Sequence, residues 1–278
     1  MNYVKILSRA VFYAVLIAIA FYTLFPLYHM FIVSFQPSAV GLFTDISLIP
    51  RGFSLKNYID LFTTTAMPRW IVNTAIYASF VALGTILLDS LTAFALSKGR
   101  FPLKEFFFVL ILSGLMIPIQ AILIPLFKVM VTLNWVNTYW GIIIPGIVSP
   151  SGVFLLRQYM LSIPDELLDS ARVDGSSEFS LYWRITLPLS TPMIATVAAL
   201  KFIMHWNAFL FPLIMMRDEN MFTIPVGIAT FQAWAGASLW GQIMAGSVAA
   251  VIPTIVVFLT FQKKIVESLA LRARVIKR

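Results

Sequence analysis

The side chains able to do chemistry are few. There is no cysteine, and His29 and His205 are the only histidines, so thiolate chemistry and a histidine metal cluster drop out. No Ser/His/Asp set, no paired intramembrane aspartates and no H-E-x-x-H are present, so no catalytic residue and no metal site is predicted. A G-x-x-x-x-G-K-[ST] phosphate loop is also missing, so the chain carries no cofactor of its own and does not supply nucleotide energy itself. Three groups of residues remain. Asp89 and Lys201 put opposite charges inside apolar runs, where an unpaired charge costs at least about 2.5–3.5 kcal/mol on insertion scales. Gln120, His205, Trp206 and Asn207 place hydrogen-bonding groups and an aromatic face in apolar segments. Such groups can hold a polar ligand within a membrane, and equally make helix–helix hydrogen bonds at about 0.6 kcal/mol each. The third group is a charged stretch, Arg157 to Pro192, with no catalytic set in it.

The elements that must position these residues are membrane spans. Of 278 residues 60% are hydrophobic and 12% charged, with a mean hydropathy of +0.89, against about 25% charged in a soluble domain. Apolar runs of near-spanning length occupy Val11–Phe35, Trp70–Ser97, Phe106–Phe127, Tyr139–Leu156, Met193–Met216 and Ile243–Phe261. The fold class is therefore an all-α integral membrane protein of about six transmembrane helices. The first run lacks a small-residue cleavage site and reads as a retained helix rather than a signal peptide. Residues 1–69 form an N-terminal helix and outer segment, 70–264 a core transmembrane domain, and 265–278 a basic tail. With the N-terminus inside, one side gathers Lys5, Arg9, Lys98, Arg100, Lys104, Arg157, Arg172, Arg184 and the tail bases Lys263, Lys264, Arg272, Arg274, Lys277 and Arg278. The other side holds only Arg51, Lys56, Arg69, Lys128 and Arg217. Both termini are thus predicted to be cytoplasmic. The same sorting accounts for the net charge of +8 without nucleic acid. Asp89 and Lys201 each lie eight residues from the cytoplasmic end of their spans, about 12 Å deep. Equal depth and opposite sign predict an intramembrane ion pair.

Between spans four and five, Ser162, Pro164 and Asp165 give a helix-start signal. Leu167, Leu168 and Ala171 then fall on one helical face, with Asp165, Asp169 and Arg172 away from it. Gly175 stands where a left-handed stop belongs. A second helix is expected over Ser177–Thr186, ended by Leu187-Pro188. Two readings of this helix–Gly turn–helix stand at this point: a solvated connector, or a docking element.

Asp169-Ser170-Ala171, three residues to Gly175, nine more, then Ile185-Thr186-Leu187-Pro188 resembles the signature loop of ABC importer permeases. That family's pattern is Glu-Ala-Ala, three, Gly, nine, Ile, one, Leu-Pro. Asp169 and Ser170 replace its Glu and Ala. Arg100-Phe101-Pro102, Ile124-Pro125-Leu126, Asn137-Thr138-Tyr139, Ile163-Pro164-Asp165-Glu166-Leu167, Val173-Asp174-Gly175 and Trp206-Asn207 extend the resemblance over nearly the whole chain. The similarity is to the carbohydrate-uptake branch that includes the second membrane subunit of maltose transporters. It implies a multi-pass protein of a prokaryotic plasma or inner membrane, surrounded by lipid. Asp165, Glu166, Asp169, Ser170, Ala171, Asp174, Gly175, Ile185, Leu187 and Pro188 would form a cytoplasmic coupling loop. Its partners would be a cytoplasmic ABC ATPase dimer holding ATP and Mg, a second homologous permease subunit, and an extracytoplasmic solute-binding protein. The segments 36–69 and 217–242 are the outer surfaces available to that last partner. The cargo implied is a sugar or oligosaccharide, with a polyol or glycerol phosphate as the alternative. An ion-coupled secondary transporter is the competing class; it would not need the Gly-centred loop, and no internal repeat supports it.

Overall fold

The computed structural model describes residues 2–37, 52–235 and 239–275, and among them every regular element is helical. In chain order these are α1 (Asn2–Ser34), α2 (Lys56–Thr64), α3 (Met67–Lys98), α4 (Lys104–Ser113), α5 (Ile119–Thr132), α6 (Tyr139–Ile147) and α7 (Pro150–Met160). They continue with α8 (Asp165–Val173), α9 (Glu178–Leu181), α10 (Leu187–Leu189), α11 (Thr191–Trp206), α12 (Leu210–Met215), α13 (Ile224–Ala235) and α14 (Trp240–Val275). Four stretches among the described residues are long and apolar enough to cross a membrane: Lys5–Ser34, Met67–Lys98, Tyr139–Met160 and Trp240–Lys264. Two bent pairs, Lys104–Met116 with Ile119–Thr132 and Glu178–Leu189 with Thr191–Trp206, raise the number to six if each is one span.

Proline sets several of the interruptions. The expected third span is bent by 97° at residues 117–118. Ile117 precedes Pro118 and is extended (φ −94°, ψ 108°), because the proline ring excludes the helical region for the residue before it. The fourth span breaks in the same way at Ser149, which precedes Pro150 (φ −142°, ψ 92°). Ser149 then caps α7 by accepting from the Gly152 amide at 3.1 Å. The expected fifth span leaves the helix at Asn207 and resumes as α12. The last span starts earlier than expected, so Trp240, Gly241 and Gln242 open α14 instead of lying in an outer loop. Residues 38–51 and 276–278, which include Arg51, Lys277 and Arg278, lie outside the described residues.

The chain divides into two compact units. In the unit made of Met1–Pro68 and Gly227–Ile252, Asn57 Nδ2 donates to the carbonyls of Ser34 and Gln36, both at 2.9 Å, and Gly241 packs on the same amide. Along α1, Phe12, Ile17, Phe21 and Tyr22 are exposed apolar surface. The unit made of Arg69–Val226 and Pro253–Arg278 contains the candidate site. One of its cores joins Ala93, Phe94, Leu156, Met160, Leu168, Leu181, Tyr182, Met193 and Val197. A second, nearer the start of α3, joins Tyr77, Val81, Met130, Ile142, Ile143 and Met215. Beyond it Asn73 Nδ2 donates to the carbonyls of Asn220 and Phe222, and Tyr139 Oη donates to Asn73 Oδ1 at 2.6 Å.

Candidate functional site

The loop between α7 and α11 is built as a packed unit. Pro164 supplies the extended residue before α8, and Asp165 and Glu166 put negative charge on its first turn, where the helix dipole favours it. Ser162 does not cap this helix; its hydroxyl donates to the Tyr159 carbonyl at 2.6 Å, because Pro164 separates it from the first turn. At the other end Gly175 has φ +84°. Its amide donates to the Arg172 carbonyl at 3.0 Å and the Ser176 amide reaches the Ala171 carbonyl at 2.9 Å. This is the Schellman stop, which needs a left-handed residue after the last helical position. A Cβ at Gly175 would meet nothing within 4 Å, so the backbone angle alone selects glycine there.

The second half departs from the expected single helix ending at Leu187-Pro188. Ser177 caps α9, the backbone widens into a π turn over Tyr182–Thr186, and Pro188 then sits inside α10. A wide turn just before a proline relieves the clash between its ring and the carbonyl four residues back. Tyr182 is buried and its hydroxyl is 2.8 Å from Ser90 Oγ on α3.

Faces are now distinguishable. Leu168 is fully buried and Ala171, Ile185 and Leu187 pack on the same core. Leu167, expected beside them, is 48% exposed. A helical turn of 100° per residue separates it from Leu168, and the core takes only one. Glu166, Leu167, Ser170, Val173 and Asp174 make one continuous exposed face, and Phe179 and Trp183 stack on each other in the open beyond it. Asp165 and Asp169, by contrast, are engaged within the chain. Lys98 Nζ, with its side chain 3% exposed, donates to Asp165 Oδ1 at 2.7 Å and to the Ile163 carbonyl at 2.6 Å. Asp169 receives Arg100 and Arg172, and Arg172 also holds Glu178 at 2.8 Å. The hydrogen bond from Lys98 holds the Asp165 carboxyl below its ordinary range, and that from Arg172 does the same for Glu178. Arg157 is buried too: Nε donates to the Leu96 carbonyl at 3.0 Å, the guanidinium pairs with Glu105, and it lies 3.9 Å over the Phe108 ring.

The turn 98–104 thus holds the loop in place as well as adding to the basic count on its side of the membrane. The sequence held the clue to its second role, a basic turn set against an acidic helix, but not the three-dimensional adjacency.

The intramembrane residues separate into two kinds. His205 is buried, with Nδ1 2.8 Å from the Lys201 carbonyl and its ring edge-on to Tyr77; Trp206 is buried and stacks on Phe202. Both are packing groups in this conformation. Asn207 and Gln120 are exposed and lie beside the breaks, Asn207 at the end of α11 and Gln120 in the first turn of α5 after Pro118. Asn207 Nδ2 donates to the Ile203 carbonyl at 2.8 Å. Asp89 and Lys201 act on one another electrostatically but do not meet in a salt bridge, and Asp89 Oδ2 has no hydrogen-bond partner. The carboxylate is turned instead toward Ser149 and Gly152 on α7. Among the described residues no group of acidic and histidine side chains could hold a metal ion.

Residues 90–270 match the family described as binding-protein-dependent transport system inner membrane component. The chain belongs to this family. It is a permease subunit of an ABC importer, a transport component and not an enzyme. This permease is 38% identical to the arabinooligosaccharides transport system permease protein AraQ of Halalkalibacterium halodurans, over 90% of this chain and 91% of that protein. It is 34% identical to the sn-glycerol-3-phosphate transport system permease protein UgpE of Brucella abortus, over 88% and 90% respectively. Its fold matches a bacterial ABC transporter involved in the import of the acidic polysaccharide alginate, with a TM-score of 0.81, 25% identity and coverage of 91% of this chain and 95% of that one. A second structure, of a bacterial alginate ABC transporter with an alginate pentasaccharide-bound periplasmic protein, shares the fold at a TM-score of 0.69 and 16% identity, covering 92% and 94%.

Proposed function

We propose that this permease passes a sugar or oligosaccharide across the inner membrane, and that residues 165–188 receive the stroke of a separate cytoplasmic ATPase. The observation that carries the second part is the free face of α8. Glu166, Leu167, Ser170, Val173 and Asp174 are turned outward while Leu168 on the opposite face is locked into the core. A solvated connector has no reason to bury Leu168, Leu181 and Tyr182 completely and to stop on a Schellman turn. A short helix fixed on one side and bare on the other transmits a push as a rigid body. In this reading Asp165 and Asp169 seat the loop, and Glu166, Ser170 and Asp174 face the ATPase, a dimer that holds ATP and Mg. Ala171, Gly175, Ile185, Leu187 and Pro188 set the loop's shape. A second permease subunit completes the pathway, a solute-binding protein delivers the cargo from outside, and both termini lie in the cytoplasm. Residues 70–264 serve as the core transmembrane domain, with residues 1–69 and the tail 265–278 flanking it.

Cargo contact falls to Gln120 and Asn207, the exposed polar residues beside span breaks. Broken helices expose backbone groups at depth, which suits a neutral polyhydroxyl ligand. An oligosaccharide is supported by the arabinooligosaccharide relative and by the alginate importer's fold. The glycerol-phosphate relative supports a small polyol phosphate as the second reading. The test is ATP-driven uptake by the complex purified with its binding protein, against arabino-oligosaccharides, alginate oligomers and sn-glycerol-3-phosphate. Uptake of an oligosaccharide is expected; uptake of the phosphate alone selects the second reading, and uptake driven by an ion gradient without ATP contradicts both.

A further inference from the structure

Thr85 and Asp89 stand one helical turn apart on α3, both buried, opposite the break between α6 and α7. Thr85 Oγ1 donates to the carbonyl of Ile147, the last residue of α6, at 3.0 Å. Asp89 is 3% exposed and turned toward the first turn of α7, and an ideal Cβ built on Gly152 would overlap its Oδ2. Its burial is offset by Lys201, acting from α11, and by Ser149, the cap of α7, together with the dipole of that helix. The polarity is complementary at both ends: a donor meets a helix C-terminus and a carboxylate meets a helix N-terminus.

We propose that Thr85 and Asp89 splint the broken fourth span, and that Gly152 is kept bare to admit the Asp89 carboxylate. The splint fixes the direction of α7, whose last residue is separated by four residues from the loop's first helix. Asp89 is a positioning residue: it touches no cargo, and sets how motion of the loop reaches α3. That consequence rests on the coupling reading above, whereas the splint geometry does not.

The test is a double-mutant cycle on the complex, scored as cargo taken up per ATP hydrolysed at equal amounts of assembled complex. Gly152→Ala and Asp89→Ala are each expected to lower this ratio several-fold. The double variant should be no worse than Asp89→Ala alone, because the added methyl then meets no carboxylate. Multiplying losses, or a Gly152→Ala variant equal to the parent, would overturn the splint. If Asp89→Ala does not assemble, Asp89→Asn keeps the volume and removes the charge. A several-fold fall is expected from it, and an unchanged ratio overturns the electrostatic part. Gly175→Val in the same preparation separates the two ideas. Normal uptake by that variant sinks the coupling reading; loss of uptake there together with a multiplicative Gly152 cycle sinks only the splint.

Discussion

Lys98 anchors α8 to the end of α3. Its ammonium is buried and bonded to the Ile163 carbonyl and to Asp165, so Lys98→Met removes two charge-assisted bonds and leaves a carbonyl unsatisfied. The bond to the Ile163 carbonyl contributes about 1.5–3 kcal/mol and the one to the largely exposed Asp165 adds little, so roughly ten- to hundredfold more local opening of the loop is expected. Hydrogen exchange over residues 161–175 would read it, and unchanged protection would contradict the anchor. The same pairing fixes a pH dependence. Lys98 and Arg172 hold the carboxyls of Asp165 and Glu178 below their ordinary values. Their contribution is therefore complete above the ordinary carboxylate range, near pH 4, and is lost only as pH falls through the lowered values. Loop protection should stay level from neutral pH to about 4 and drop below it. A decline beginning near pH 6 would point to a different group. In the sequence, the charges of this cluster were legible as signs on one side of the membrane, and their partners were not. Asp89 and Lys201 show the same limit: matched depth followed from helical rise, but side-chain direction depended on the break at Ser149, which apolar composition concealed.

At the scale of elements, α8 divides its two leucines. Leu168 is fully buried and Leu167 half-exposed. Leu168→Ala should loosen the loop by about 2–5 kcal/mol and Leu167→Ala by no more than about 0.5 kcal/mol, read by limited proteolysis of the assembled complex. Equal effects would mean that the face is wrongly assigned. Helical periodicity placed both leucines on one stripe; the packing of Leu168 with residues of α3, α7 and α11 distinguishes them. The Gly175 stop was legible because a single residue type suits a left-handed turn after a helix. The breaks in spans three and five were not. Pro118 and Pro125 look alike in the sequence, yet one ends a helix and the other sits within α5. A proline can be absorbed where neighbouring helices keep the chain helical, and that is a tertiary property.

For the whole molecule, the sorting of lysine and arginine predicts the orientation. Cysteines introduced at Ser54 and Asn220 should react with an impermeant thiol reagent applied outside intact cells, and one at Ser177 should be protected. Labelling of Ser177 from outside would reverse the orientation and move the loop away from any cytoplasmic ATPase. The family was legible in the spaced motif from Asp169 to Pro188, which depends on one turn angle and one helix pair rather than on the spans. The choice of cargo was not legible, because a side-chain amide can hydrogen-bond many polyhydroxyl ligands alike. Whether the Gly175 turn shapes an element through which ATP hydrolysis drives uptake can be read from two substitutions at that residue. Nothing crowds the position, so only the positive φ distinguishes them. Asparagine visits that region readily and valine does not. In complexes assembled to equal amounts, Gly175→Asn should keep most ATP-driven uptake and Gly175→Val should lose roughly tenfold or more, in line with a left-handed penalty of about 1–2 kcal/mol or greater. Equal uptake by the two variants, both near the parent, would contradict the account.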